Sequence, residues 1–298
     1  MGRRVFHIGL HKTATTWFQE NYYPNVEEFT VVDRKTVQDD FIEPHGLNFN
    51  AEAVASKYSK DVNYLYVDEE LSGNIHNAGL NGFITKEIAH RIKSVFPQAE
   101  VIIFIRNQED MIRSIYTQYI KKGGTYTLEK YLHHDENNNH RSPMFMFEHL
   151  NYFNLVTHYR KIFGSNCKVY IYEELLKNNE LFLENFCNDL SIKQVKNFDA
   201  TKRNLSYGPF AISLRRMLNI FTKKDVPNKY YIVNLYKFNG ILDRFFYFFV
   251  SISSNVGLNG KYKQSSKQIE FIRDYYKESN RELEKCEGLK LRGNGYSV

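Results

Sequence analysis

The chain has 298 residues and a mass of 35.3 kDa, and 42% of its residues are hydrophobic while 25% are charged. This apolar fraction is large enough for a hydrophobic core and excludes a wholly disordered chain. The 40 Lys and Arg against 34 Asp and Glu give a formal net charge of +6. That excess is too small to indicate a nucleic-acid-binding protein, and it suits a protein that handles small anions.

Neither the cysteines nor the N-terminal residues indicate export. The cysteines are widely spaced and odd in number, which excludes a disulfide framework and gives no metal-ligand spacing: Cys167, Cys187 and Cys286. The start, MGRRVFHIGL, has too short an apolar run for a signal peptide. The longest apolar run, Phe245–Val250, is far shorter than the about 20 residues of a membrane-spanning helix. We therefore expect a cytoplasmic protein without a transmembrane segment.

Short strand-like segments alternate with helical patterns along the first two thirds of the chain. The predicted strands are Arg4–Gly9, Phe29–Val32, Tyr64–Val67, Val101–Ile105 and Lys168–Tyr172. The predicted helices are Thr15–Tyr22, Lys86–Phe96 and Glu109–Lys122. The run VIIFI is continuously apolar, as in strands that are covered on both faces. The alternation predicts an α/β fold with a central, mainly parallel sheet flanked by helices.

The C-terminal third of the chain has a different pattern. Phe210–Phe221 and Ser266–Lys285 show helical periodicity, and an aromatic stretch separates them. The Gly-rich tail, Leu289–Val298, is predicted to be loose. No linker rich in Pro, Gly or Ser divides the chain, so we expect one domain with a helical C-terminal elaboration.

The first strand-to-helix turn, VFHIGLHKTATTWFQ, has the pattern of a phosphate-binding loop. The turn carries Gly9, Lys12, Thr13, Thr15 and Thr16. A helix N-terminus offers unpaired N–H groups and a positive dipole end, and Lys and Thr add a charge and hydroxyl donors. The alternative is a turn whose Lys and Thr are solvated caps. Because only two residues separate Gly9 from Lys12, the loop of the usual nucleotide triphosphatases is disfavoured.

A second group of polar residues follows VIIFI. Arg106 comes where this strand ends, Asn107 is placed to cap the next helix, and Ser114 lies eight residues after Arg106. Because ligands bind beyond the carboxyl ends of parallel strands, Arg106 and Lys12 can converge on one anion. The alternatives are an Arg paired with Asp110 and a helix serine bonded to a backbone carbonyl.

Together the two motifs resemble the nucleotide sites of sulfotransferases. GLHKTATTWFQ resembles their 5′-phosphosulfate loop, and Arg followed eight residues later by Ser resembles their 3′-phosphate site. The resemblance implies a P-loop NTPase-like fold, 3′-phosphoadenosine 5′-phosphosulfate (PAPS) as donor, adenosine 3′,5′-bisphosphate (PAP) as product, and no metal. It implies that Arg106 and Ser114 hold the 3′-phosphate. The residues implied for the 5′-phosphosulfate are Lys12, Thr13, Ala14, Thr15 and Thr16.

One loop position departs from the family pattern. Ala14 stands where the family usually has glycine, and alanine is strained there only if φ is positive.

Weaker similarities extend over most of the chain. KRNLSY (Lys202–Tyr207) resembles a loop that closes over the nucleotide, which implies that Arg203 and Ser206 contact the 3′-phosphate or adenine. The resemblance implies one sulfotransferase domain over residues 1–298, with a nucleotide-binding core at 1–200 and a helical C-terminal part at 201–298 that holds acceptor-side elements.

An acceptor hydroxyl needs a general base, and the candidates are Glu70, Glu69, His11 and His7. The segment YLYVDEELSGN resembles the family strand that ends in the catalytic carboxylate, and the match falls better on Glu70 than on Glu69. Lys12 would neutralise the leaving oxygen, and His11 would touch the transferring group. The alternative for the two Glu residues is a helix start, where acids are favoured anyway. His7 lies within the strand and is expected in the core.

The resemblance to bacterial enzymes that modify glycans or glycolipids implies a carbohydrate acceptor and no nucleic-acid partner. The apolar segment Arg244–Ser253 allows peripheral membrane contact, but a buried helix is favoured. The oligomeric state is not predicted. Two other functions stay open: a P-loop kinase for a small metabolite, and a non-catalytic anion- or glycan-binding module of this fold. Metal binding by HHDENNNH is disfavoured against a solvated loop.

Overall fold

The computed structural model describes residues 2–74, 82–133, 144–195, 208–221 and 262–298, with the single positions 232, 240, 241, 244, 246 and 248. Its strands form one sheet in the order β2-β3-β1-β4-β5, and every neighbouring pair is parallel. The strands are β1 (Arg4–His7), β2 (Thr30–Val32), β3 (Tyr64–Val67), β4 (Glu100–Ile105) and β5 (Cys167–Ile171). The predicted parallel α/β fold is confirmed.

Helices flank the sheet and account for most of the remaining described residues. The α-helices are α1 (Thr15–Trp17), α2 (Arg34–Val37), α3 (Ala51–Ala55), α4 (Thr85–Val95), α5 (Gln108–Lys121), α6 (Leu128–Leu132), α7 (Tyr152–Phe163), α8 (Tyr172–Lys177), α9 (Asn179–Leu190), α10 (Pro209–Leu218) and α11 (Ser266–Glu287). Two π-helical turns are Phe18–Tyr22 and Gln38–Ile42, and short 3-10 turns are Tyr23–Asn25, Gly46–Asn48, Glu69–Ser72, Phe147–Leu150, Gly164–Asn166, Asn219–Phe221 and Arg292–Asn294.

Strand β4 is covered on both faces, as its continuous apolar run predicts. Val101, Ile103 and Ile105 point into a core with α4, α5 and α7, whereas Ile102 and Phe104 point into a second core with the first helix and α9. All of these side chains are fully buried. The sheet is therefore the rigid middle layer of the fold, and the turns that follow its strands are anchored to it.

The C-terminal tail is packed, so the prediction that it is loose is wrong. Leu291 is 0% and Tyr296 4% exposed. The Asn280 side chain on α11 donates to Ser297 O (2.9 Å), and the Asn107 side chain donates to Gly295 O (2.5 Å). The glycines permit the turns that bring Leu291 and Tyr296 into the core. The high glycine content of the tail therefore does not indicate disorder.

Candidate functional site

The register of the central strands brings the ends of β1, β3 and β4 to one edge of the sheet. His7, the last residue of β1, pairs with Val67, the last residue of β3. On the other side His7 pairs with Ile102, and β4 runs a few residues further. The turns that follow these strands therefore face each other at the edge where parallel α/β sheets bind ligands.

In the loop after β1, Gly9 lies close to polar side-chain atoms of three residues, which are His7, Thr13 and Thr15. A Cβ added to Gly9 would lie 2.7 Å from His7 Nε2, 2.9 Å from Thr15 Oγ1 and 3.0 Å from Thr13 Oγ1. The Thr13 hydroxyl donates to Leu10 O (2.5 Å). Thr15 is 2% exposed, and its hydroxyl has no hydrogen-bond partner among the described residues. A buried hydroxyl in this state suits an anion that it can donate to.

Two non-glycine residues of this loop have left-handed backbone conformations. Lys12 has φ 69°, and Ala14 has φ 67° and ψ 16°. Ala14 is also the N-cap of α1, and its carbonyl accepts from Phe18 N (3.0 Å). Each such residue costs on the order of 1 kcal/mol, and strain of this kind concentrates at functional sites. The condition for strain at Ala14 is therefore met.

We expect Ala14→Gly to raise the free energy of unfolding by up to about 1 kcal/mol, because the relieved strain exceeds the added entropy of the unfolded chain. Urea denaturation at neutral pH measures the difference. The matched control is Ala53→Gly, at an exposed position of the right-handed helix α3, which should lower the same free energy by about 1 kcal/mol. Destabilisation of similar size at both positions would contradict a positive φ at Ala14.

Arg106 is joined directly to the loop. Its Nη1 donates to Lys12 O (2.9 Å), and its guanidinium carbon lies 5.0 Å from the Tyr172 ring centroid. The Tyr152 hydroxyl donates to Arg106 O (2.7 Å). The Arg106 Nε atom is buried without a hydrogen-bond partner in the described part of the chain. The two sequence motifs are thus in contact, and Arg106 keeps an unused donor.

The alternative partner proposed for Arg106 is engaged elsewhere. Asp110 forms an ion pair with Arg113, one turn further along α5. Burial lowers the pKa of the Arg113 guanidinium, and the charge of Arg106 lowers it further. Arg113 is therefore a second cation beside Arg106 that the sequence motif does not include. Ser114 follows it in the middle of α5 and is half-buried.

The turn that carries Arg106 is held by residues far away in the chain. Asn107 N donates to Glu173 Oε1 (2.9 Å), and the Tyr296 hydroxyl donates to Glu173 Oε2 (3.0 Å). Asn107 Oδ1 accepts from the first backbone N–H groups of α5, as predicted for a cap. Burial raises the pKa of the Glu173 carboxyl. No local sequence pattern identifies Glu173 and Tyr296 as site residues, because their role depends on contacts between segments that are distant in the chain.

The acidic turn after β3 is organised by Asp68. This carboxylate is 0% exposed and accepts from Glu70 N (2.8 Å), Arg34 Nε (3.0 Å) and Gln38 Nε2 (3.0 Å). Arg34 also lies 3.7 Å from Glu69 Oε1 through its Nη2. Asp68 and Arg34 are absent from the predicted site residues. The only sequence signals are that Asp is a common helix cap and that Arg34 closely follows β2.

The two predicted carboxylates have different surroundings. Glu69 Oε1 lies 4.0 Å from His11 Nε2, and its charge raises the pKa of Lys12. The pKa of the Lys12 ammonium is nevertheless lowered, mainly by burial. Burial and the charge of Asp68 raise the pKa of Glu70, which also has a side-chain hydrogen bond with Asn74. The charge of Glu69 thus acts on the loop cation, whereas the carboxyl of Glu70 has a pKa above that of an ordinary glutamate.

His7 is a core residue, as expected. It is 0% exposed, and a 2.7 Å hydrogen bond joins its Nδ1 to the Tyr23 hydroxyl. Burial lowers the pKa of His7 to about 3, so its imidazole is neutral at physiological pH. The ring supports the loop at Gly9.

Comparison of the whole chain with solved structures identifies its fold. A sulfotransferase from Alicyclobacillus acidocaldarius superposes with a TM-score of 0.50 at 18% identity, covering 68% of this chain and 87% of that chain. The chain has a sulfotransferase fold. A mouse sulfotransferase complexed with PAP has 13% identity and covers 78% of this chain and 71% of that chain, at a TM-score of 0.38. No protein-family model and no curated protein matches the chain.

Most of the predicted site residues that the structure describes follow β1, β3 or β4, at the edge where these strands end. Thr13 and Thr15 are buried there, Lys12 and Ala14 are half-buried, and Thr16 is exposed. Arg203, Ser206 and the His-rich segment from residue 134 onward lie outside the described residues. Within the described ranges no group of three or more His, Cys, Asp or Glu could hold a metal ion, and no helix is long and apolar enough to cross a membrane.

Proposed function

We propose that the chain is a PAPS-dependent sulfotransferase that moves a sulfuryl group to a hydroxyl or amine of an acceptor. The observation that carries the proposal is the loop after β1, where the buried Thr15 hydroxyl has no hydrogen-bond partner among the described residues and Arg106 donates to the Lys12 carbonyl. An anion is the ligand that satisfies these groups together. The sulfotransferase fold supports this reaction class over a metabolite kinase.

The residues at this edge fit a bisphosphorylated donor. The Thr15 hydroxyl and Arg106 Nε have spare hydrogen-bonding capacity in the described part of the chain, and Gly9 leaves room that a Cβ would fill. We assign the residues of the loop, Lys12 to Thr16, to the 5′-phosphosulfate. Arg106 and Ser114 are assigned to the 3′-phosphate, with Arg203 and Ser206 as further contacts. When bound, PAPS supplies an activated sulfuryl group on a phosphate oxygen.

The chain's own groups would then perform charge stabilisation and proton transfer. Lys12 is placed to stabilise negative charge that develops on the phosphate oxygen, because its ammonium is partly desolvated at the loop. We assign Glu70 as the general base, since its raised pKa makes it a better proton acceptor than an ordinary carboxylate. Glu69, beside Arg34 and His11, is assigned to holding the His11 ring and the loop cation in place.

The remaining features of the proposal come from the sequence. They are a glycan or glycolipid acceptor, which the resemblance implies, a single domain over residues 1–298, a cytoplasmic location and transfer without a metal. The reaction itself needs positioning and charge stabilisation, which the loop, α5 and the acidic turn are placed to provide.

The test of the donor is thermal unfolding with two nucleotides. We expect PAP to stabilise the protein by about 2.7 kcal/mol at a concentration about 100 times its Kd, and ATP with magnesium to stabilise it less. Arg106→Ala should remove most of the effect of PAP, whereas Lys161→Ala, at an exposed position of α7, should retain it. Stabilisation by ATP with magnesium and not by PAP would reject the proposal in favour of a kinase.

A further inference from the structure

The tail that follows α11 is hydrogen-bonded to the turn after β4. The Tyr296 hydroxyl, on a side chain that is 4% exposed, donates to Glu173 Oε2 at 3.0 Å. Glu173 Oε1 in turn accepts from the backbone N–H of Asn107 at 2.9 Å. The Asn107 side chain also donates to the Gly295 carbonyl at 2.5 Å. Two adjacent tail residues therefore act on the same asparagine, one directly and one through Glu173.

A buried pair of amides gives the tail a third link, to the first residue of α5. Gln108 is 3% and Asn280 is 1% exposed. The Gln108 side chain donates to Asn280 Oδ1 at 2.8 Å, and the Asn280 side chain donates to Gln108 Oε1 at 3.2 Å. Asn280 also donates to the Ser297 carbonyl at 2.9 Å. Because breaking a buried hydrogen bond leaves an unsatisfied polar group, the start of α5 is fixed relative to the tail.

Arg106 is the residue immediately before Asn107, and the same turn sets its position. Its Nη1 donates to the Lys12 carbonyl at 2.9 Å, and its guanidinium carbon lies 5.0 Å from the Tyr172 ring centroid. Tyr172 directly precedes Glu173, so adjacent residues after β5 contact the guanidinium and the next peptide. An arginine recognises a phosphate through the fixed planar geometry of its N–H groups, so displacement of the guanidinium weakens that recognition. The tail thus bears on Arg106 through the Asn107 peptide.

We propose that Glu173 and Tyr296 are positioning residues for the 3′-phosphate of the donor, and that they give the protein a preference for 3′-phosphorylated nucleotides. The inference rests on the proposed function, in which Arg106 holds that phosphate. Tyr296 orients the Glu173 carboxylate, the carboxylate fixes the Asn107 peptide, and this peptide sets the place of the guanidinium. A nucleotide without a 3′-phosphate has no such group for Arg106 to hold, so its affinity depends much less on these two residues.

The test is calorimetric binding of PAP and of adenosine 5′-monophosphate, which lacks the 3′-phosphate. We expect the parent protein to bind PAP at least about 10-fold more tightly, the usual effect of a hydrogen bond between charged groups. Tyr296→Phe and Glu173→Gln should each reduce this preference by about 3- to 10-fold, the usual effect of one hydrogen bond. The affinity for adenosine 5′-monophosphate should change by less than about 2-fold, whereas a general loss of stability would affect both nucleotides alike.

Each variant has a matched control. Tyr276→Phe removes the same atom from a tyrosine that is 1% exposed, whose hydroxyl donates to Phe147 O at 2.8 Å, and it should keep the preference for PAP. Glu174→Gln makes the same change one residue after Glu173. Glutamine can still accept the 3.1 Å hydrogen bond that Glu174 Oε1 receives from Asn294, so this variant should also bind like the parent protein.

A double variant tests whether the effect passes through Arg106. In an Arg106→Ala background, Tyr296→Phe should cause no further change in the ratio of the two affinities, because the guanidinium that it positions is absent. Tyr296→Phe keeps the aromatic ring, so it decides the question even if Glu173→Gln does not fold.

Three outcomes would overturn the positioning role. They are an unchanged preference for PAP in Tyr296→Phe, equal losses of affinity for both nucleotides, and a further loss of preference in the Arg106→Ala background. Failure of the proposed function looks different, because the parent protein itself would then bind the two nucleotides equally. That result would remove the assignment of Arg106 to the 3′-phosphate, and the inference with it.

Discussion

Lys12→Ala is expected to lower the rate of sulfuryl transfer under single-turnover conditions by about 100- to 1000-fold, the usual effect of removing one group that stabilises developing charge. Lys12 has φ 69°, and its backbone carbonyl accepts a 2.9 Å hydrogen bond from Arg106 Nη1. Because these backbone constraints do not depend on the ammonium, the substitution should leave the loop in place. PAP affinity should therefore fall much less than the rate.

The measurement is quenched-flow transfer from labelled PAPS, with the thermal shift by PAP recorded on the same preparations. Lys161→Ala, which likewise removes one lysine but at an exposed position of α7, controls for the change in net charge. A large loss of PAP affinity with unchanged turnover in Lys12→Ala would show that the ammonium only binds the donor.

Glu70→Gln is expected to lower the single-turnover rate by about 100- to 10,000-fold, because the variant cannot accept the acceptor's proton. Burial raises the pKa of Glu70, and the base is active only when deprotonated. Activity of the parent protein should therefore fall as the pH decreases through that raised pKa, at a pH above the ordinary value for glutamate. The residual activity of Glu70→Gln should lack this acidic limb.

Glu69→Gln is the matched comparison, because the same chemical change is made one residue away. Its carboxylate lies 3.7 Å from Arg34 and 4.0 Å from His11, so we expect a smaller loss of rate and a retained acidic limb. A larger loss in Glu69→Gln than in Glu70→Gln would transfer the role of base to Glu69. Full activity in both would leave His11 as the remaining predicted base.

The local features of this site were predictable from sequence, because they depend on periodicity and on short motifs. The continuous run in β4 indicated a strand covered on both faces, and Asn107 after it indicated a cap. Strand ends shared by one edge of a parallel sheet brought Lys12 and Arg106 together, as expected. The family pattern shows that Ala14 stands in place of the usual glycine, but only the structure shows that the φ angle at Ala14 is positive.

The features that could not be predicted all depend on distant contacts. Arg34 reaches Asp68, and Tyr296 reaches Glu173, across separations that no local pattern encodes. The prediction that the C-terminal tail is loose was wrong for the same reason. Its glycine content indicates which backbone conformations are allowed, but it does not indicate which side chains of the tail are buried. The sequence also could not show that the charge of Glu69 raises the pKa of Lys12, because Glu69 and Glu70 are adjacent and chemically identical.

The strand order has a consequence for how the protein forms during synthesis. Strand β1 is synthesised before both of its neighbours in the sheet, and it lies at the centre, between β3 and β4. Both of its hydrogen-bonding edges stay open until Tyr64–Val67 and then Glu100–Ile105 have been made. Unpaired edges of this kind expose a nascent chain to misassociation and slow its folding. Lys12 follows β1 and Arg106 follows β4, so these two residues can meet only after β4 has been made and has paired with β1.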